Sequence, residues 1–551
     1  MRTDNLASRH SMAAALAVGA AVLLTYTLLC SAIKVDDVDR YWYELGTNRF
    51  FWDLGHLWMQ PLALLLYRAS GDVLGVNHSL EAINVISVAL GCAVFFTTLR
   101  EAGHSTLKSV AAVAFVAASF DLMTLGPTAH IKLMVFPALA LTLHHALRWE
   151  RADAAGQSTL RHQLASGAWA GLSVNLLVSV LPQMLLLAVF MLIRGARRYG
   201  LAQTVRRMLP YALALAVVGF GLLLAAYVVA RQSGTTSAQD LLGFTLGGLK
   251  EKEDLHVGFP SLKEMPLRFG FSLVNNFAFL PSVGTLGRAY LWGWLADVRP
   301  VLPSLLGQAL LAAMVGALLL ATFAVGARQA LKSKAEPGLL SPWAFVLGAA
   351  AFSYYYNLND PEHWFQFTMP VALLALQLRR RWLTIWLLCI ATPVLLTVNL
   401  VGYGIPKARF ALAERQQALQ TALGMQGLYV GFAAYPGEPD SSLMDTPGLE
   451  RFNIDLVQAN EIKADVDALL AKLDEHVDAA LARGGRVLVF RALDDMDWRG
   501  PVMQVALAGL PRAKLHAHLA ERYVISGPVD AGGFPAYELR ALDLIRTRAS
   551  P

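Results

Sequence analysis

Eleven apolar runs dominate the chain, at residues 11–33, 82–99, 109–126, 131–147, 163–181, 184–196, 208–230, 303–325, 342–357, 364–378 and 382–404. A helix that crosses a bilayer needs roughly 20 apolar residues. The longer runs therefore predict membrane-spanning helices, and the shorter ones predict broken helices that line a cavity. Residues 163–196 could form one long helix, but both ends are basic, which predicts a hairpin turning at Pro182. The polar positions between the runs are asymmetric. Arg2 and Arg9, Arg100 and Lys108, Arg148, Arg151 and Arg161, the five arginines 194, 197, 198, 206 and 207, then Arg328, Lys332, Lys334 and Arg379 to Arg381 fall in alternate connections. The short turns near 126–131, 182 and 357–363 are nearly free of Lys and Arg. Basic residues collect in cytoplasmic loops, so this pattern predicts a mainly α, polytopic membrane protein. It has about eleven transmembrane helices, the N-terminus inside and the C-terminus outside.

The first run, Ser11 to Ile33, exceeds the roughly 7–15 apolar residues of a secretory signal core, so it reads as a retained helix. Two outer loops are long, 34–80 and 231–302. In the first, HLWMQPLALLLYR carries Leu57, Leu62, Leu65 and Leu66, the spacing of an amphipathic helix lying at the interface. The second carries KEKED, and Trp292 and Trp294 fit an interfacial aromatic belt.

Beyond residue 405 the character changes: acids outnumber bases 19 to 16 and no run is long enough to span. LYVGFAA, RVLVF and AYELRAL read as strands. Ile462, Val466, Leu469, Leu470, Leu473, Val477 and Leu481 follow helical spacing, closed by Gly484 and Gly485. The division predicted is a transmembrane domain over 1–404 and a small extramembrane α/β domain over 405–551.

Composition agrees. The chain of 551 residues is 56% hydrophobic and 16% charged, against roughly a quarter charged in soluble domains. Its net charge of +6 is accounted for by cytoplasmic loops and does not point to nucleic acid. Cys30, Cys92 and Cys389 all lie within apolar runs and match neither a disulfide framework nor a metal site.

Candidate chemistry starts at VDDVDRYW, where Asp36, Asp37 and Asp39 follow the first run and precede Arg40, Tyr41 and Trp42. Acids at a bilayer edge are costly to desolvate and mark sites by default. They could serve as a general base, bind a divalent cation such as Mg or Mn, or simply cap the helix that follows. NLNDPEHWFQFTMP places Asp360, Glu362 and His363 in a short turn on the same side, as a cavity rim or a plain polar turn. Lys132, in PTAHIKLM, either meets a lipid phosphate or snorkels to the interface. His56 either orients a substrate or is an ordinary polar residue. Lys250, Lys252, Arg268 and Arg288 lie on the second outer loop, where arginine offers a bidentate fork for phosphate.

Taken together, these residues resemble the GT-C superfamily of polytopic glycosyltransferases, in particular bacterial members related to aminoarabinose and protein-mannosyl transferases. The resemblance lies in DVDRY (Asp37 to Tyr41), in Gly55, His56, Leu57, Pro61 and Tyr67, and in PEHWFQFTMP before a late span. It implies a sugar donor carried on a polyprenyl phosphate or diphosphate. It also implies an acceptor hydroxyl on an envelope glycan, lipid or protein, and an inner-membrane location with the tail periplasmic or extracellular. By position, Asp37 corresponds to the acceptor base, with Asp36 and Asp39 as alternates. Arg40, Tyr41, His56, Lys132, Arg268, Arg288, Asp360, Glu362 and His363 are candidates for substrate binding. The turn TAHIK lacks the acid that relatives often carry there. A transporter or flippase of lipid-linked sugars, using the same acids for proton coupling, and a non-catalytic membrane scaffold are the other classes compatible with this sequence. No matched halves favour transport.

Overall fold

The computed structural model describes residues 2–30, 57–70, 73, 75–233, 239–245, 265–281, 301–330, 338–355, 361–378, 380–409, 412–424, 426–431, 450–454, 465–490, 493, 512–531 and 535–542. The transmembrane part is helical: α1 (Arg2–Leu29), α2 (Met59–Ala69), α3 (Gly75–Glu101), α4 (Thr106–Ala117), α5 (Phe120–Leu125), α6 (Phe136–Ala154), α7 (Leu160–Leu176), α8 (Leu181–Tyr199), α9 (Leu201–Gln232), α10 (Met265–Phe277), α11 (Leu305–Ala330), α12 (Leu340–Tyr355) and α13 (Thr368–Gln377). Next comes α14, a continuous helical stretch over Arg381–Ala408 that widens into π-helical turns at Trp386–Ala391 and Leu396–Gly404. Among the described residues, six helices are long and apolar enough to cross a membrane: those beginning at Met12, His78, Val178, Leu201, Leu305 and Arg381.

Helix directions follow from side-chain contacts. Gly19 packs on Ala89 and Ala93 while Cys30 faces Glu81, so α1 and α3 are antiparallel. Gly167 and Gly171 let α7 approach the backbone of α9 at Tyr211, Leu215 and Gly219, so those two run parallel. Gly195 against Thr204, and the hydroxyl of Tyr211 donating to the Met184 carbonyl, make α8 antiparallel to α9. The 163–196 stretch therefore does fold back, with Pro182 at the start of α8. The expected loop 231–302 contains a regular element, α10. The third expected span, 109–126, stops at Ala117 and restarts as α5.

These directions gather the described polar residues into two ends. One end is arginine-rich and is held by Glu150, whose side chain is fully buried. Glu150 accepts from Arg194 Nη1 at 2.9 Å, from the backbone N–H of Gly338 at 2.6 Å, Leu340 at 3.3 Å and Ser341 at 3.2 Å, and from the Ser341 hydroxyl at 3.0 Å. A carboxylate from α6 thereby caps the N-terminus of α12 and ties both to α8, at the position where a helix dipole favours an anion.

The C-terminal part carries a five-stranded sheet of β1 (Leu428–Gly431), β2 (Glu450–Asn453), β3 (Val487–Phe490), β4 (Tyr523–Asp530) and β5 (Pro535–Ala541), in the order β2-β1-β3-β5-β4. β1 is parallel to β2 and β3; β5 is antiparallel to β3 and β4. Helix α16 (Val466–Ala482), which follows α15 (Leu412–Leu423), buries Leu469, Leu470, Leu473 and Val477 in the core under the sheet. Gly484, at φ 76°, closes it as expected. The last helix, α17 (Arg512–Arg522), adds Leu515 and Leu519 to the same core.

Two predictions follow from buried charge. Glu150→Ala strands Arg194 and three backbone N–H groups, and should cost about 3–5 kcal/mol in detergent unfolding. Glu101→Ala breaks a partly exposed pair with Arg148 and a longer contact with His144 and should cost about 0–1 kcal/mol. In the sheet, burial raises the Glu538 carboxyl pKa, but hydrogen bonds from Arg486 and Arg540 hold it below the ordinary value. Its folded pKa lies below its unfolded one, so its stabilisation is present above the unfolded pKa and is lost as pH falls through the folded one. Glu538→Gln should flatten the acid limb of the chain's stability profile; an unchanged limb would remove Glu538 from that account.

Candidate functional site

At the end opposite the arginines, the spans break. The 3-10 turns Ile131–Val135, Val178–Val180 and Pro361–Phe367, the short α5 and the second π-widened turn of α14, Leu396–Gly404, all lie there. Non-helical backbone at membrane depth must be enclosed by protein or line a wet cavity, because lipid offers no hydrogen bonds. Here it is enclosed by protein. Phe120 packs edge-on against Tyr403, and Phe136 against Phe365.

Buried side chains satisfy the freed backbone groups. Asn84 Nδ2 donates to the carbonyls of Leu125, Thr128 and His130, fixing the turn between α5 and the fourth expected span. Asn399 Nδ2 donates to the Ala118 and Phe277 carbonyls, each at 2.6 Å, while its Oδ1 accepts from the Phe279 N–H at 2.7 Å. One side chain thus joins α14 to the ends of α4 and α10. The Tyr26 hydroxyl donates to the Ala117 carbonyl at 2.7 Å, bringing the end of α1 to the same break.

Asp36, Asp37, Asp39, Arg40, Tyr41, His56, Arg288 and Asp360 lie outside the described residues. Arg268 sits on α10 and Glu362 in the turn Pro361–Phe367, with their side chains outside the description. Lys132 is only 3% exposed. It is enclosed by the protein instead of extending over its surface, so the snorkelling alternative does not hold. His363 is buried, with Nδ1 3.0 Å from the Ser179 hydroxyl; Gln366 Nε2 donates to that hydroxyl at 2.7 Å, and Gln183 Nε2 donates to Gln366 Oε1 at 2.6 Å. This chain of hydrogen bonds gives His363 a bridging place between α8 and the late turn. The Phe136–Phe365 contact brings the Lys132 and His363 turns together. In the amphipathic α2, Met59, Ala63 and Leu64 face the protein while Leu62, Leu65 and Leu66 are exposed, and Leu57, just before it, is buried.

Three charged residues at this end escaped the sequence reading: Glu81, Asp121 and Lys407, each under 9% exposed. Asp121 lay inside an expected span, and the other two lay immediately outside spans. The legible signal was a lone charge at the same end of successive apolar runs. Among the described residues, no group of three or more His, Cys, Asp or Glu side chains is arranged to hold a metal ion; the acids proposed for Mg or Mn lie outside them.

Asn399→Leu should leave two carbonyls and one N–H unmet and cost at least about 1–3 kcal/mol in unfolding assays. Thr397→Ala, at an exposed position on the same helix, should change stability by no more than about 0.5 kcal/mol. Equal effects would contradict a pinning role for Asn399.

No protein-family model and no curated protein sequence matches the chain. Among solved structures, ArnT from Cupriavidus metallidurans bound to undecaprenyl phosphate aligns over 95% of this chain and 97% of its own, with 12% identity and a TM-score of 0.49. The archaeal oligosaccharyltransferase AglB from Archaeoglobus fulgidus, in complex with an inhibitory peptide and a dolichol-phosphate, aligns over 86% of this chain and 69% of its own, with 11% identity and a TM-score of 0.42. An Archaeoglobus fulgidus oligosaccharyltransferase tethered to an acceptor peptide aligns over 91% of this chain and 72% of its own, with 11% identity and a TM-score of 0.43. With TM-scores below 0.5, these are likenesses of outline.

Proposed function

We propose that the chain is a membrane glycosyltransferase that moves a sugar from a polyprenyl-phosphate-type donor to a hydroxyl acceptor at the outer face of the cytoplasmic membrane. The observation that carries this reading is the separation of the two ends. Arginines gather at one end, and the buried lysines Lys132 and Lys407 lie with the broken spans at the other. The arginine-rich end fits the cytoplasmic side, which supports about eleven passes, an inside N-terminus and an outside C-terminal domain over 405–551.

Chain connectivity supports assigning the acidic motif to the interrupted end. Asp37 follows Cys30 by seven residues, and a fully extended chain covers no more than about 25 Å in that length. Helix α3 alone, with 27 residues, is about 40 Å long. The short tether from Cys30, the last described residue before the motif, supports assigning Asp37 to the interrupted end. Leu57 and Pro361, the described residues that follow His56 and Asp360 in sequence, are at the same end.

In this reading Asp37 is the general base, with Asp36 and Asp39 beside it. The acceptor oxygen forms a bond to the anomeric carbon as its proton passes to the Asp37 carboxylate. The bond from that carbon to the phosphate oxygen breaks, and the phosphate keeps the electron pair. One base opposite one leaving group gives inversion. The leaving phosphate needs cations and no protonating acid; Lys132, Arg268 and Arg288 are assigned that role. Arg40, Tyr41, His56, Asp360, Glu362 and His363 are assigned to substrate placement. The exposed leucines of α2 suit a surface along which the lipid donor arrives.

Asp37→Asn should lower transfer from a labelled polyprenyl-phosphate sugar by at least about 100-fold, within the range contributed by a positioned base. Asp39→Asn should retain more activity. The reverse order would move the base to Asp39, and full activity in the triple variant of Asp36, Asp37 and Asp39 would refute the reading.

A further inference from the structure

Lys407 is 1% exposed, at the end of α14. Its ammonium donates to the Thr124 carbonyl at 3.0 Å, its one hydrogen bond among the described residues. It stands 5.8 Å from the centre of the Tyr403 ring. Its electrostatic neighbours are Cys30 and Glu81, and no carboxylate oxygen among the described residues lies within ion-pairing distance of it. An ammonium has three donors, and among the described residues one of them is used. A buried charge without an adjacent counter-charge is costly, and such residues in membrane proteins commonly face a substrate path.

The surroundings indicate which anion fits. Lys407 lies behind the seam where α1 meets α14, where Leu29 packs against Gly404. The two helices of that seam carry exposed apolar side chains at this level: Leu24 at 62%, Leu28 at 71% and Val401 at 51%. An amphiphile with a hydrocarbon tail could lie along these side chains and present its anionic head inward to the ammonium. A soluble anion would gain nothing from them.

We propose that Lys407 holds the phosphate of the lipid carrier, entering through the seam between α1 and α14. This rests on the glycosyltransferase reading and deepens it: Lys407 joins the expected Lys132, Arg268 and Arg288, and it belongs to the carrier phosphate and not to the sugar. Glu81 is then the group that limits the grip. Its charge offsets that of Lys407 when the carrier is absent and weakens the hold on a phosphate when it is present.

The test is direct binding of a short-chain polyprenyl phosphate to the full-length protein in detergent, with the matching polyprenol and inorganic phosphate as competitors. Wild type should bind the phosphate ester at least 10-fold more tightly than the alcohol, and inorganic phosphate should compete poorly. Lys407→Met should lose at least 10-fold of the affinity for the ester and none for the alcohol, and Lys407→Arg should recover part of it. Glu81→Gln keeps Lys407 in place and supplies a second test: it should bind the ester as tightly as wild type or more so. If Lys407 only braces α5 against α14 through the Thr124 carbonyl, Lys407→Met should instead lower thermal stability and weaken ester and alcohol alike. Unchanged ester affinity in a folded Lys407→Met, or weakened affinity in Glu81→Gln, overturns the proposal. Absence of ester binding in wild type overturns the glycosyltransferase reading itself. Wild type that binds inorganic phosphate as well as the ester would show a free-anion site and reject the carrier.

Discussion

A helix broken at membrane depth frees backbone groups that lipid cannot satisfy, and the rest of this structure depends on how they are met. A few buried side chains do it. Asn399 meets three groups from two segments, and Asn84 reaches three carbonyls of one turn. Each group left unmet would cost about 1–3 kcal/mol, comparable with a large share of a domain's net stability. These pins allow α4, α5 and α10 to end beside the widened part of α14.

The two ends use charge differently. At the arginine-rich end the buried acid is saturated: Glu150 has five donors, and Asp153 accepts from the Tyr199 hydroxyl at 3.0 Å. Such an acid is a clasp with no capacity for a ligand. At the interrupted end Lys407 has one acceptor and no close counter-charge among the described residues. Saturated charge fixes helices in place, and under-saturated charge is what a substrate phosphate or an acceptor hydroxyl requires. This contrast, read with the direction of α1, is the physical case for assigning the acidic motif and the reaction to the interrupted end.

Much of the helical framework was legible from hydrophobic runs and the basic residues between them, including the fold-back at Pro182. In the tail, Gly484, the α16 stripe and strands β1, β3 and β5 were legible for the same reason: burial imposes a period on the sequence. Strands β2 and β4 were not, because ERFN and YVISGPVD carry half-exposed and polar positions that only their sheet neighbours make extended. The break after Ala117 was hidden because FDLMTL reads as continuous apolar helix except for Asp121, and it is tertiary contacts such as Tyr26 to Ala117 and Asn399 to Ala118 that stabilise the break. Lys132 was legible as a candidate but not as a buried one, since a lysine's sequence position does not say whether its head reaches water or a cavity. Glu81 and Lys407 were missed because each borders a run, where a charge ordinarily marks the membrane surface.

The most direct test of the account is the fate of a donor labelled in both its lipid and its sugar, supplied to purified protein in detergent with an envelope extract as acceptor. The account predicts that free polyprenyl phosphate accumulates in step with labelled acceptor. An intact donor, moved across liposomes with no bond broken, would contradict it and make the interrupted end a transport path.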